Sequence, residues 1–226
     1  MKIRKLFSAL LVILVLVMAV FAARSIMRPE KFKTVYEFRK AANVSNLLAI
    51  RSAQAVYKNV YKKYASDIDS LADFVKNGYV EVEKTIGSIP DSISQEQAFK
   101  LGLIHKETVK VPAMEKILEL DKKNLTPESF KNFTRIPYSD NKKYEIQTGV
   151  ISNKNYEVPL YRIDVPIDDI LVNMDRTVTP ENSNVFKKVW DKIFFNNLSE
   201  ETQYKSLYPD IYMGSLTEAS TAGSWE

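Results

Sequence analysis

Residues 6–23 read LFSALLVILVLVMAVFAA, eighteen positions with one polar member, Ser8, bracketed by Lys2, Arg4 and Lys5 before and by Arg24 and Arg28 after. The pattern predicts a membrane-spanning helix. Eighteen residues rise roughly 27 Å, just short of the roughly 30 Å hydrocarbon core, and Ile26 and Met27 supply another turn while the arginines snorkel to the interface. The expected organisation is a cytoplasmic basic flank over 1–5, a transmembrane anchor over 6–27, a stalk helix over 30–65 and an extracytoplasmic domain over 66–226. Ala9, Ala19, Ala22 and Ala23 put small side chains on the anchor, where a neighbouring helix can approach closely. A cleaved secretory signal is the alternative, because Val20 and Ala22 suit a peptidase cut before Ala23. The apolar run is, however, longer than the about 7 to 15 residues of a usual signal core. Basic residues are nearly balanced across the segment, so orientation rests on the five-residue flank, which leaves almost nothing to translocate and keeps the amino terminus in the cytoplasm.

Pro29 is expected to interrupt the helix just outside the membrane. From Thr34 to Tyr64 there is neither proline nor glycine, and Leu47, Ile50, Ala53, Tyr57, Tyr61 and Tyr64 follow steps of three and four that place them on one face. Such a helix of some thirty residues, about 45 Å long, carries the chain clear of the bilayer. Leu47, Ile50, Tyr57, Tyr61 and Tyr64, with Leu71 and Phe74 of the next helix, form the expected core between stalk and domain.

That next helix begins with Ser66 as its expected cap, has Asp67 and Asp69 at the positive end of its dipole, and stops at Gly78. Tyr79 to Ile86 alternates like a strand. Gly87 to Ser94 reads as a loop around Pro90, and Ser94 opens a short helix to about Leu101. Thr108 to Val111 and Arg135 to Tyr138 are short strand candidates, and Thr126-Pro127-Glu128 is a helix cap followed by proline at the first helical position. Lys143 to Ile151 and Tyr156 to Val165 read as a hairpin turning at Ser152-Asn153-Lys154-Asn155. Asp168 to Leu171 can begin a helix after Pro166. A helix is expected from Asn184 to Phe195, followed by irregular chain carrying Tyr204, Tyr208 and Tyr212. The fold class is therefore α+β: a transmembrane helix continuing as an amphipathic stalk, packed on a small mixed domain with an antiparallel sheet.

Composition narrows the chemistry. The 226 residues are 45% hydrophobic, with twelve tyrosines and eleven phenylalanines, enough for one anchor and one domain with a core. The chain has no cysteine, which removes disulfides, thiolate metal sites and a cysteine nucleophile. Its net charge of +4 is spread along the chain instead of being gathered in a run, which argues against nucleic acid as a partner. His105, the only histidine, has no neighbouring ligand for a common zinc site. Asp164, Asp168 and Asp169 are clustered carboxylates without the glycine-bearing loop of a calcium site. With six glycines and neither a phosphate loop nor a nucleophile elbow, no catalytic residue, metal or cofactor is expected.

The basic leader, apolar span and continuing helix through Ala49-Ile50-Arg51-Ser52-Ala53, Tyr57, Tyr64 and Ser70-Leu71 resemble type IV pilins and the pseudopilins of secretion machines. More closely, the run from Leu48 to Gly78, with the closing Gly214-Ser215-Leu216-Thr217-Glu218 and Gly223-Ser224-Trp225-Glu226, resembles an uncharacterised family of single-span envelope proteins of the Bacteroidota. The chain departs from pilins at Lys5, where a prepilin peptidase recognises glycine, and at Leu10, where filament packing commonly uses glutamate. Those departures argue against processing and against polymerisation. The resemblance implies a protein of the inner membrane with a periplasmic domain, and the lack of a catalytic constellation makes it a non-enzymatic one. Such a protein acts as a structural or assembly subunit of an envelope complex, with membrane lipid and other envelope proteins or a second copy of itself as partners. An exported glycan- or peptide-binding module and a membrane-tethered carboxylate hydrolase are the alternatives. Asp91-Ser92-Ile93 also resembles the O-glycosylation signal of exported Bacteroidota proteins, which makes Ser92 a candidate acceptor. Asp69-Ser70-Leu71 has the same form but falls within a helix.

Overall fold

The computed structural model describes residues 2–87, 94–153, 156–174 and 208–226. Its first element, α1, is a single helix, Lys2–Tyr61. Pro29 therefore does not interrupt it, contrary to the sequence expectation. A proline inside a helix loses one backbone hydrogen bond, here to the carbonyl of Ser25, at a cost of about 3 kcal/mol. The long helical stretches on both sides hold the register because adding a residue to an existing helix is far easier than nucleating a new one.

The helix also ends earlier than expected, at Tyr61 instead of residue 65. Lys62 adopts a left-handed φ of 60°, and its N–H donates to the Lys58 carbonyl at 2.8 Å, closing the last turn. The reversal that follows is fixed from within the helix. Gln54, fully buried, donates from Nε2 to the Ala65 carbonyl and accepts from the Ala65 N–H, both at 2.9 Å. One side-chain amide thus satisfies both backbone groups of a buried residue.

α2 spans Ile68–Asn77, and its cap is Asp67, not Ser66. The Asp67 carboxylate reaches the third helical N–H, that of Ser70, at 2.9 Å, a donor that Ser66 is one residue too early to cap in the usual way. Gly78 closes α2 with its N–H on the Phe74 carbonyl at 2.8 Å. A Cβ at Gly78 would collide with that carbonyl and with the Phe74 ring, so the position requires glycine.

β1 (Tyr79–Gly87) and β2 (Ile104–Pro112) form an antiparallel ribbon in register from Tyr79 opposite Pro112 to Gly87 opposite Ile104. β2 is longer than the expected Thr108 to Val111. Between the strands lies α3 (Gln95–Lys100), capped by Ser94 in a reciprocal box with Gln97. α4 (Ala113–Leu120), which the sequence reading left unassigned, follows β2 and packs on α2, β1 and β2. Pro112 precedes it and gives no side-chain cap, so the usual start signal is missing. A 3-10 turn, Pro127–Phe130, follows Thr126 as expected.

Arg135 to Tyr138 is not a strand. It contributes one bridge, Arg135 to Lys143, and Tyr138 has a left-handed φ of 66° that a strand cannot hold. β3 (Ile146–Asn153) and β4 (Tyr156–Val165) form the expected hairpin, with Asn153 opposite Tyr156. β5 (Ile211–Ser215), expected to be irregular chain, completes a sheet of order β3-β4-β5. Gly214 has a φ of 80° and lies against the Tyr161 carbonyl, a close approach that permits no side chain. α5 (Ile167–Ile170) follows Pro166. The expected loop around Pro90, with Ser92, and the expected helix from Asn184 to Phe195, with Tyr204, lie outside the described residues.

The protein is thus α+β, with a long helix and antiparallel sheets. It divides into two compact units, one of Met1–Asn43, Pro137–Lys142 and Val165–Ile211, the other of Val44–Ile136, Lys143–Asp164 and Tyr212–Glu226. In the first unit, Phe32 and Tyr36 are buried against Tyr208, with ring centroids 5.4 and 4.5 Å away. There Arg39 donates from Nη1 to the carbonyls of Ile170 at 2.8 Å and Val172 at 2.7 Å, capping the end of α5. Asp210 accepts from the Ile167 N–H at 2.7 Å at its start. In the second unit, Leu47, Ile50, Ala53 and Val56 of α1 are buried with Ile68, Leu71, Phe74 and Val75 of α2 and with Ile117 of α4.

Replacing Gln54 by Ala leaves the Ala65 N–H and C=O buried without partners, and stability should fall by about 2 to 4 kcal/mol. Urea midpoints of the two proteins measure this. A loss within experimental error would mean that the turn does not depend on the side chain.

Candidate functional site

The first surface of interest is the amino-terminal part of α1. Eleven large apolar side chains, Phe7, the nine consecutive residues 10–18, and Val20, are 45–66% exposed. Nine consecutive residues make two and a half turns, so every face of the helix is apolar and none is covered. A helix apolar all round is stable only when something surrounds it. Ala19, Ala22 and Ala23 are exposed and, at spacings of three and four, share one face; the side chain of Ala9 lies outside the described residues. Among the described residues no helix is long and apolar enough to cross a membrane. The unbroken run of described apolar side chains is residues 10–20, the side chains of Leu6, Ala9 and Phe21 not being among them.

The second feature is the junction of α1 with α2. Leu47, Ile50, Leu71 and Phe74 are buried. Tyr57 is half-buried, its ring 4.5 Å from that of Tyr61 and 5.1 Å, edge-on, from that of Phe74. Tyr64, also half-buried, meets the buried Tyr161 with ring centroids 4.5 Å apart and planes inclined at 57°, while the Lys58 ammonium lies 4.9 Å over the Tyr64 ring. Tyr61 departs from the expected core position and is 50% exposed. It is the last residue of α1, and once Lys62 turns left-handed the chain leaves one face of its ring open.

That open ring belongs to a shallow groove of about 570 Å³ between the last turn of α1 and the length of α2. Tyr57, Tyr61 and Phe74 line it, together with Asp67, Asp69 and Asp73. Hydrogen bonds from the backbone of Ser70, ahead of its side chain, hold the Asp67 carboxyl below its usual range. Asp69 pairs with Lys143 at 2.5 Å, and Asp73 accepts from Asn77 at 2.7 Å.

Two of the carboxylates weighed for catalysis form ion pairs with cations of the chain. Asp164 is held by Arg162 at 2.9 and 3.0 Å, and that guanidinium lies 4.4 Å over the Tyr212 ring. Asp169 pairs with Lys142 at 2.8 Å. His105 is exposed on β2 opposite Ile86, and among the described residues no cluster of His, Asp and Glu could hold a metal ion. Sequence reasoning missed Arg39, Asn43 and Gln54. The last two are buried polar residues in phase with Leu47 and Ile50, and a polar residue on an apolar stripe was the available signal. No family model, curated protein or solved structure matches the chain.

Leu71→Ala and Ile50→Ala should each destabilise the protein by about 2 to 5 kcal/mol, and Tyr61→Ala by a small fraction of that. Thermal melting of the three variants checks the ranking. Equal losses would return Tyr61 to the core. A second expectation concerns alkaline pH. Burial, ahead of the charge of Glu37, pushes the Tyr36 hydroxyl up to about 12, and burial also pushes Tyr144 and Tyr161 upward. A folded-state value raised above the unfolded value of about 10 means that the folded protein holds these protons more tightly. Their stabilisation is complete below about pH 10 and lost as pH rises through the folded values. Urea midpoints that stayed level from about pH 9 to 12 would contradict this.

Proposed function

We propose that the chain is a non-enzymatic, single-span protein of the cell envelope. In this reading residues 6–27 cross the inner membrane, the amino terminus is cytoplasmic, and residues 66–226 form a periplasmic domain serving as a structural or assembly subunit of an envelope complex. The observation that carries the reading is the band of eleven apolar side chains exposed on all sides of an unbroken helix. A band of that kind fits lipid, which contacts every face of a helix at once. The basic residues at both ends of the band fit the two interfaces.

A non-enzymatic role is favoured by the ion pairs of Asp69, Asp164 and Asp169 with cations of the chain itself. Partners in this reading are membrane lipid and other envelope proteins or a second copy of the chain, as in the pilin-like proteins that residues 1–71 resemble.

Alkaline carbonate extraction of membranes from cells producing the full chain tests the anchor. The natural protein should stay in the pellet with an intact mass beginning at the first residues, and Leu14→Arg combined with Val15→Arg should release it. An extractable natural protein, or a mass beginning at Ala23, would overturn the reading.

A further inference from the structure

We propose that the groove between the end of α1 and α2 binds an extended peptide segment carrying two cationic side chains, arginine or lysine, at alternate positions. Three aromatic rings line the groove. Tyr57, Tyr61 and Phe74 lie within 4.5 to 5.7 Å of one another, and Tyr61 leaves half of its surface open. An aromatic side chain that contributes little burial to its own core is a costly one to leave in water, and its open face attracts a cation.

α2, which carries Phe74, also supplies the charge. Asp69 and Asp73 are four residues apart on α2, one turn, or about 6 Å along its axis. In an extended chain, side chains two residues apart point the same way at a spacing of about 6.6 Å. Two cations at alternate positions therefore match two carboxylates one helical turn apart. The ten residues of α2 extend about 15 Å, which four or five extended residues span.

The chain itself demonstrates half of this recognition. Lys143 already places its ammonium 2.5 Å from Asp69, and both side chains are about half exposed, so an incoming cation can displace it. Asp73, by contrast, is met only by the amide of Asn77 among the described contacts. With three carboxylates and one lysine, the groove carries a net negative charge, which favours a cationic peptide over a neutral sugar that could also stack on the rings. The proposal does not depend on the membrane reading, because the groove lies within a single compact unit.

Fluorescence anisotropy on the full-length chain in lipid nanodiscs tests it. The probe is a fluorescein-labelled Ser-Arg-Ser-Arg-Ser-Gly peptide, with controls in which both arginines are replaced by the neutral isostere citrulline or placed side by side. The alternating peptide should bind, and both controls should bind about tenfold more weakly or not at all. Tyr61→Ala and Asp73→Asn should each weaken binding about tenfold with melting temperature little changed, whereas Lys143→Ala should strengthen it. Equal binding of the arginine and citrulline peptides, indifference to Tyr61→Ala and Asp73→Asn, or binding of chitotriose in place of the peptide would each overturn the proposal.

Discussion

A helix that is apolar on every face is stable only when something other than water covers it, and residues 10–18 of α1 form such a stretch. Fully covering a large apolar side chain is worth about 1.5 to 3 kcal/mol, and the eleven between Phe7 and Val20 are about half exposed, so the set represents on the order of 10 kcal/mol. No single surface ion pair of the protein approaches that scale. The apolar side chains of residues 10–18 gain that free energy only where something other than water surrounds them, and the backbone that carries them is continuous helix. Pro29 tests that continuity, since it removes a hydrogen bond without ending the helix.

At its other end α1 is terminated by named contacts. The left-handed Lys62 closes the last turn, Gln54 pairs with both backbone groups of Ala65, and Asp67 then opens α2 by capping Ser70. These three devices set where α2 begins relative to the last turn of α1. They thereby bury Leu47, Ile50 and Leu71 while leaving Tyr61 uncovered beside Asp69 and Asp73. The core and the groove are two consequences of one turn. A shift of the helix end by a single residue would turn the point where the chain leaves α1 by about 100° and carry α2 away from Tyr61.

Periodicity made much of this legible. The long helix, α2 with Leu71 and Phe74 inward, the strand beginning at Tyr79 and the hairpin of β3 and β4 all follow from apolar spacing and glycine or polar punctuation. What periodicity could not supply was decided by single atoms. Choosing Asp67 over Ser66 as a cap depends on reaching the third helical N–H. The absence of a strand at Tyr138 depends on a left-handed backbone with no glycine to announce it, and α4 lacks a capping side chain at Pro112. β5 depends on Gly214 fitting against the Tyr161 carbonyl, a contact between residues far apart in sequence. The candidate site was half legible. The apolar band was plain from residues 6–23, but Tyr61 shares the stripe of Tyr57 and Ile50, and nothing in spacing alone reveals that the stripe outlasts the surface that covers it.

Depth measurement along the amino-terminal helix tests the central claim most directly. Because the chain has no cysteine, single cysteines can be placed from position 8 to 22, spin-labelled and reconstituted in vesicles, and each label's collisions with lipid-soluble oxygen compared with those with a water-soluble nickel chelate. The account predicts a depth that increases from both ends to a maximum near Leu14. Nickel access throughout the segment, or a depth that is shallow and uniform, would contradict it.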